Sequence, residues 1–363
     1  MKKLIAISVM LALFTGIAFA QTSISGAIET RGRLYDGLLG DEDNKPTTMV
    51  ELATAHIQLA GRNEAGTIGG LARIRQQDAA GAYHRAHVWW RPIPELRIFM
   101  GRDDDGMFST GDALTDWQFH QGTENWVARH DWAFWRSVFP GNWDKPGIAI
   151  SYYGIEGLTL NLVIPAEGSW ELAEMYPFGL QFQGTYRIPD VGTILWSYVG
   201  SRKSMEAIDD PFEQAGFGRA GASFLLTAIP GIRVQIGASF DPALHGPDVP
   251  YRIGFGLHYN SGNFGLKTRG AVVMNYIGND IGAAVADAPT FMTFNIMPHY
   301  TMGNVSIFCD IVYQQRSDQD YFSWWVTPYL RYASFRTGLW IEGDTRDETK
   351  IRLRFPIHAV YSF

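Results

Sequence analysis

The chain has 363 residues, a single cysteine, and 30 basic against 37 acidic side chains, a formal net charge of −7. The acidic balance argues against a nucleic-acid partner, and with Cys309 alone no intramolecular disulfide can form. Mean hydropathy is −0.09 although 46% of residues are hydrophobic and 14% aromatic, and past residue 20 no apolar run reaches the roughly eighteen residues of a membrane helix.

Residues 1–20 read MKKLIAISVMLALFTGIAFA. Lys2 and Lys3 form a charged n-region, Leu4 to Phe19 an apolar run, and Ala18-Phe19-Ala20 a small-x-small cleavage site. This predicts an export signal, with the mature chain starting at Gln21. Losing Lys2 and Lys3 leaves 28 basic side chains against 37 acidic ones, a net charge of about −9.

From there, tight turns alternate with longer polar loops. The turns are expected at 63–66, 92–95, 154–157, 189–192, 229–231, 260–263, 302–304 and 333–334, most with the Gly, Pro, Asn or Asp that hairpins need. The loops are expected at 37–50, 78–82, 103–146, 165–177, 201–216, 241–250, 277–289, 316–320 and 344–349. Eight turns and nine loops join eighteen strands; without the weak final turn at Ala333–Ser334 the number is sixteen. The segments alternate. In 305–314, Val305, Ile307, Cys309, Ile311 and Tyr313 oppose Ser306, Asp310 and Gln314; in 251–260, Tyr251, Ile253, Phe255, Leu257 and Tyr259 oppose Arg252, His258 and Asn260. The fold class expected is all-β: a transmembrane antiparallel up-and-down barrel, 21–363, with apolar faces to lipid and polar faces to water.

The polar faces carry most of the wall's positive charge. On the first strand lie Arg31 and Arg33, with Glu29; on the third, Arg73 and Arg75; on the fourth, Arg85, His87 and Arg91; on the fifth, Arg97; on the last, Arg352 and Arg354. A charge facing lipid at mid-depth costs about 2–4 kcal/mol, so these residues are expected to line the pore on one arc. The longest loop, 103–146, is acidic, with Asp103, Asp104, Asp105, Asp112, Asp116, Glu124 and Asp131. It also holds Trp117, Trp126, Trp132, Trp135 and Trp143, which pack the loop or stack on a solute. The acids lack the ligand spacing of a known calcium loop, and no metal or cofactor is expected.

The final segment, KIRLRFPIHAVYSF (350–363), alternates through Ile351, Leu353, Phe355, Ile357, Ala359, Tyr361 and Phe363. A terminal Phe preceded by alternate aromatic and aliphatic residues resembles the last strand of bacterial outer-membrane β-barrels, with Phe355, Tyr361 and Phe363 as its aromatic members. That resemblance implies recognition by the outer-membrane assembly machinery and closure against the first strand. The stretch ELRIFMGRDDDGMFSTGDALTDW (95–117) is similar to the approach of general diffusion porins to the third outer loop, which folds into the pore. That family usually has sixteen strands; eighteen occur in the sugar-specific porins. The resemblance implies short periplasmic turns, a constriction between the arginines and the acidic loop, outer-membrane lipid and small hydrophilic solutes or ions as partners, and a homotrimer, for which no residue here marks an interface. Opposed charges across a constriction order water and disfavour apolar solutes.

The function expected is therefore a porin: an aqueous channel for passive diffusion, with a sugar-selective channel using the loop tryptophans as the alternative. A barrel-embedded lipase or protease is disfavoured, because no nucleophile elbow, metal-ligand cluster or His-Glu-x-x-His motif is present and barrel enzymes are narrow. A secreted sugar-binding β-sandwich would leave most apolar strand faces exposed.

Overall fold

The computed structural model describes residues 21–39, 46–77, 82–102, 146–165, 181–199, 219–240, 251–274, 290–317, 320–345 and 351–362. The leader 1–20, the loop segment 103–145 and Phe363 lie outside the described residues. Those described form strands and their turns only: β1 (Gln21–Leu39), β2 (Thr47–Arg62), β3 (Ile68–Gln77), β4 (Ala82–Ile93), β5 (Leu96–Arg102), β6 (Pro146–Ile155), β7 (Leu158–Pro165), β8 (Gln181–Ile188) and β9 (Gly192–Val199). The second half comprises β10 (Arg219–Leu226), β11 (Ile232–Phe240), β12 (Tyr251–Ser261), β13 (Phe264–Met274), β14 (Phe291–Met302), β15 (Val305–Arg316), β16 (Phe322–Tyr332), β17 (Phe335–Gly338), β18 (Trp340–Asp344) and β19 (Ile351–Ser362).

Each strand pairs antiparallel with its neighbours in sequence, and β1 pairs with both β2 and β19, so the sheet closes on itself. Closure removes both edges, whose open backbone groups could not be left in an apolar medium. Nineteen segments fill eighteen positions, because β17 and β18 are two halves of one strand. Both halves pair with β16 on one side and β19 on the other without a change of register. The interruption at Leu339 has a chemical cause. Leu339 N donates to Pro328 O at 3.0 Å, but proline has no amide to return the bond. On the other side the residue before it, Gly338, falls in register with Pro356 of β19.

The eighteen-strand expectation holds, and the turn it hinged on forms: Tyr332 pairs with Phe335, and Ala333 takes a left-handed φ of 48°. All eight short turns lie at one end of the barrel and the nine longer connections at the other. The exterior is apolar. Ile24, Ile28, Ile57, Ile74, Val88, Trp90, Ile236, Ile253, Phe255, Ile307, Ile311 and Phe355 are all exposed. Their neighbours in sequence, including His87, Gln235, Ser306, Asp310, Arg354 and His358, are buried on the inner face. This two-faced wall is what a membrane-spanning barrel requires.

Candidate functional site: the inner wall

Residues paired across an antiparallel ladder point to the same face, so the register reads out the inner wall row by row. One row runs Arg97, Ser151, Asn161, Gln183, Ser197, Gly221, Ser239 and Arg252 across β5 to β12. Between the two arginines it is neutral, and Ser151, Asn161, Gln183 and Ser239 are all buried. Ser151 Oγ, both side-chain polar atoms of Gln183, and Ser239 Oγ reach no hydrogen-bond partner among the described residues.

Around the rest of the circumference several rows are basic, set among neutral positions such as Thr293, Asn295, Ser306 and Thr327. Arg233, His258 and Lys267 stand in register on β11, β12 and β13. Arg331, Arg336, His358 and Arg31 stand in register on β16, β17, β19 and β1. Arg73 on β3 is in register with Arg85 on β4, and Arg75 with His56 on β2. Arg269 is fully buried on β13 opposite Asn295.

Several of the residues expected to line the pore have described surroundings. Arg73 Nε donates to Gln58 Oε1 at 2.9 Å. His87 is buried with its ring centroid 4.4 Å from that of Phe99. Arg97 and Arg91 hold their guanidinium carbons 4.9 Å and 5.5 Å from the Trp89 ring centroid. Trp89 itself can lie against the wall because its cross-strand neighbour is Gly69, where a Cβ would collide with the indole. Arg31, Arg75 and Arg85 are placed by strand register only.

Arg33, Arg352 and Arg354 converge on one carboxylate that sequence reading missed. Asp36 accepts from Arg33 Nη1 at 2.8 Å, Arg352 Nε at 2.8 Å and Arg354 Nε at 3.2 Å, and Arg354 Nη1 reaches Glu342 Oε2 at 3.4 Å. Strict alternation from Arg33 puts Asp36 on the outside. A bulge between Arg33 and Asp36, present in the pairing with both β2 and β19, turns it inward. No sequence signal marks that bulge. By contrast, Arg233, Lys267, Arg331 and Arg336 were within reach, since each occupies the polar phase of a strand near a short turn.

Several inner-wall arginines sit on aromatic shelves. Phe308 and Tyr329 stack at 4.7 Å and 5°, His299 stacks on Phe308 at 5.3 Å, and Arg331 lies 5.4 Å from the Phe308 centroid. Trp325 and Trp340 stack at 5.8 Å, with Arg354 5.7 Å from the Trp340 centroid. Cation–π contact fixes each guanidinium in position. Asp310, between these shelves, accepts from Asn295 Nδ2.

The loop carboxylates Asp103, Asp104, Asp105, Asp112, Asp116, Glu124 and Asp131, and the tryptophans Trp117, Trp126, Trp132 and Trp135, lie outside the described residues. Of the tail pattern, Phe355 is exposed with its ring edge-on to Tyr35 at 5.9 Å, and Tyr361 is exposed.

No family model and no curated protein matches the sequence. Among solved structures, the chain is similar over 94% of its length to the whole of a triple mutant of Rhodopseudomonas blastica porin, at 12% identity and a TM-score of 0.51. A second mutant of that porin matches with the same coverage and identity at a TM-score of 0.50. At this identity the likeness is one of fold: the barrel is of the porin type.

Proposed function

We propose that the chain forms a passive, water-filled channel for small hydrophilic solutes across a bacterial outer membrane. The observation that carries this reading is the two-faced closed wall: apolar side chains outward, and inward a wall on which polar groups such as Ser151, Asn161, Gln183, Arg269, Asn295 and His358 alternate with apolar ones such as Val163, Leu195 and Phe308. Buried polar groups are normally hydrogen-bonded, and those of Ser151, Gln183 and Ser239 have no partner among the described residues; water held in the lumen beside them would supply one. The porin named among the structural neighbours is consistent with this reading. The leader at 1–20 would direct export, the tail ending at Phe363 would engage the assembly machinery, and loop 103–146 would narrow the lumen against the arginines of β1, β3, β4, β5 and β19. A homotrimer in outer-membrane lipid is the corresponding assembly.

The deciding experiment is a planar-bilayer recording of the folded protein. Discrete ohmic conductance steps are expected, and deleting 110–140 should enlarge them if the loop obstructs the pore. An assembled barrel that passes no current refutes the channel. Strand phase has its own check with a water-soluble thiol reagent in intact membranes. Asp310→Cys, His258→Cys and Arg354→Cys should react far faster than Ile311→Cys, Leu257→Cys and Leu353→Cys; equal rates would mean that the faces are reversed or mixed.

A further inference from the structure

The basic rows of the inner wall are costly where they stand. Cross-strand partners on one face have Cβ atoms about 4.5–5.5 Å apart, and like charges placed directly opposite destabilise a sheet. Yet Arg331 is in register with Arg336, and Lys267 and Arg233 stand in one row on either side of His258. The wall had a neutral solution available. The row through Ser151, Asn161, Gln183 and Ser239 fills the same kind of position with uncharged side chains. Chain-wide charge does not account for the basic rows either, because the protein as a whole is acidic.

The rows are grouped by depth. Arg233 is the second residue of β11, Lys267 the fourth of β13, Arg331 the last but one of β16 and Arg336 the second of β17, all close to short turns. The inward carboxylates of the strands with described side chains lie elsewhere, while Glu64, Glu95, Glu156 and Asp190 are exposed in the turns between β2 and β9, away from these rows in the sheet order. Asp36 and Glu342 are held by Arg33, Arg352 and Arg354 towards the long-loop end, and Asp310 is bonded by Asn295 at mid-wall. The short-turn side of the wall from β11 to β17 therefore carries a cluster of basic side chains, and part of it is pre-positioned, as Arg331 is by the Phe308–Tyr329 stack.

We propose, on the reading that the barrel is a channel, that this side of the wall selects small multivalent oxyanions. Adjacent strands are about 4.8 Å apart, so an anion with two or more charges meets two basic side chains of one row at once, whereas chloride meets one. Guanidinium groups add paired donors matched to phosphate and carboxylate oxygens. Solutes passing through a low-dielectric wall feel this fixed charge more strongly than they would in bulk water. The loss of cross-strand stability is offset when the anion occupies the row.

The test uses the full protein in planar bilayers, with inorganic phosphate as the probe. In a potassium chloride gradient the wild type is expected to reverse on the anion-preferring side, and added phosphate should reduce the chloride current. The double variants Arg331→Gln with Arg336→Gln, and Arg233→Gln with Lys267→Gln, should lose the phosphate block and shift reversal towards cations. The neutral-row variant Ser239→Ala should retain both properties. Heat-modifiable gel mobility reports whether each variant is assembled, and the wild-type recording stands even if a variant is not. A cation-preferring wild type, a chloride current indifferent to phosphate, or assembled double variants that behave like wild type overturn the anion proposal alone. Absence of all current in an assembled wild-type barrel overturns the channel reading instead.

Discussion

From Ser151 on β6 to Ser239 on β11 the buried polar side chains of the inner wall are hydroxyls and amides, set among apolar ones such as Val163, Leu195 and Leu225; from Arg233 round through β19 and β1 to Arg97 rows of arginine, lysine and histidine appear among neutral residues such as Asn295, Ser306 and Thr327. The two arcs have the same pleat, the same ladder and the same apolar exterior. They differ in how the inner side chains are held. In the neutral arc Gln235 Nε2 donates to Ser223 Oγ at 3.2 Å, while Ser151 Oγ and Ser239 Oγ bond to none of the described residues. The charged arc is cross-linked by aromatic stacks and by the three arginines on Asp36. A wall of uncharged groups can be left to solvent, whereas a wall of like charges must be organised.

The comparison is broken most severely at Asp36. Its carboxylate is buried and accepts from Arg33, Arg352 and Arg354, bridging the first and last strands at the seam where the barrel closes. Removing one member of a buried ion pair typically costs about 3–5 kcal/mol, because the remaining charge is left uncompensated. Arg352 is partly exposed, which places Asp36→Ala near the lower end of that range. We expect a clear fall in the urea midpoint for unfolding from vesicles. A variant with the wild-type midpoint would mean that water already solvates the three guanidiniums and that the seam is held by the backbone ladder alone.

A second break concerns the ladder. The charged arc contains the interruption at Leu339, where Pro328 receives a bond and returns none. Pro328→Val supplies the missing amide opposite Leu339. One net hydrogen bond is worth about 0.5–1.5 kcal/mol, so the variant should be more stable by roughly 1 kcal/mol in the same unfolding assay, with β17 and β18 fused. Unchanged or lowered stability would point to a local geometry that depends on the proline.

Legibility from sequence followed the physics of each feature. Strand phase was readable because a wall between lipid and water forces a period of two, and it placed Ile307 and Ile311 outside and Ser306 and Asp310 inside. Turn positions were readable because hairpins demand particular residues. The final turn at Ala333–Ser334 lacked them, and there a non-glycine residue accepts the left-handed conformation. Asp36 was not readable, because a one-residue bulge reverses phase without a sequence mark. The aromatic shelves were not readable either: Phe308 meets Tyr329 and Trp325 meets Trp340 only through the register of strands that pair across loops and turns.

The smallest effect belongs to the neutral arc. Gln183 is 3% exposed and Ser239 2% exposed, values at which truncation usually carries a penalty. The penalty comes from lost bonds or from an emptied apolar cavity. Neither applies here. The polar atoms of Gln183, and Ser239 Oγ, bond to none of the described residues, and on the proposed channel reading truncation here opens space to the lumen water rather than a void. Gln183→Ala and Ser239→Ala are therefore each expected to change unfolding stability by no more than about 0.5 kcal/mol, the range of substitutions away from packed or bonded features. This prediction is small but sharp, because it separates a solvated wall from a packed interior. If either substitution costs about 2 kcal/mol or more, the neutral arc is a buried hydrogen-bonded core, the lumen is filled on that side, and the contrast between the two arcs is one of packing rather than of charge.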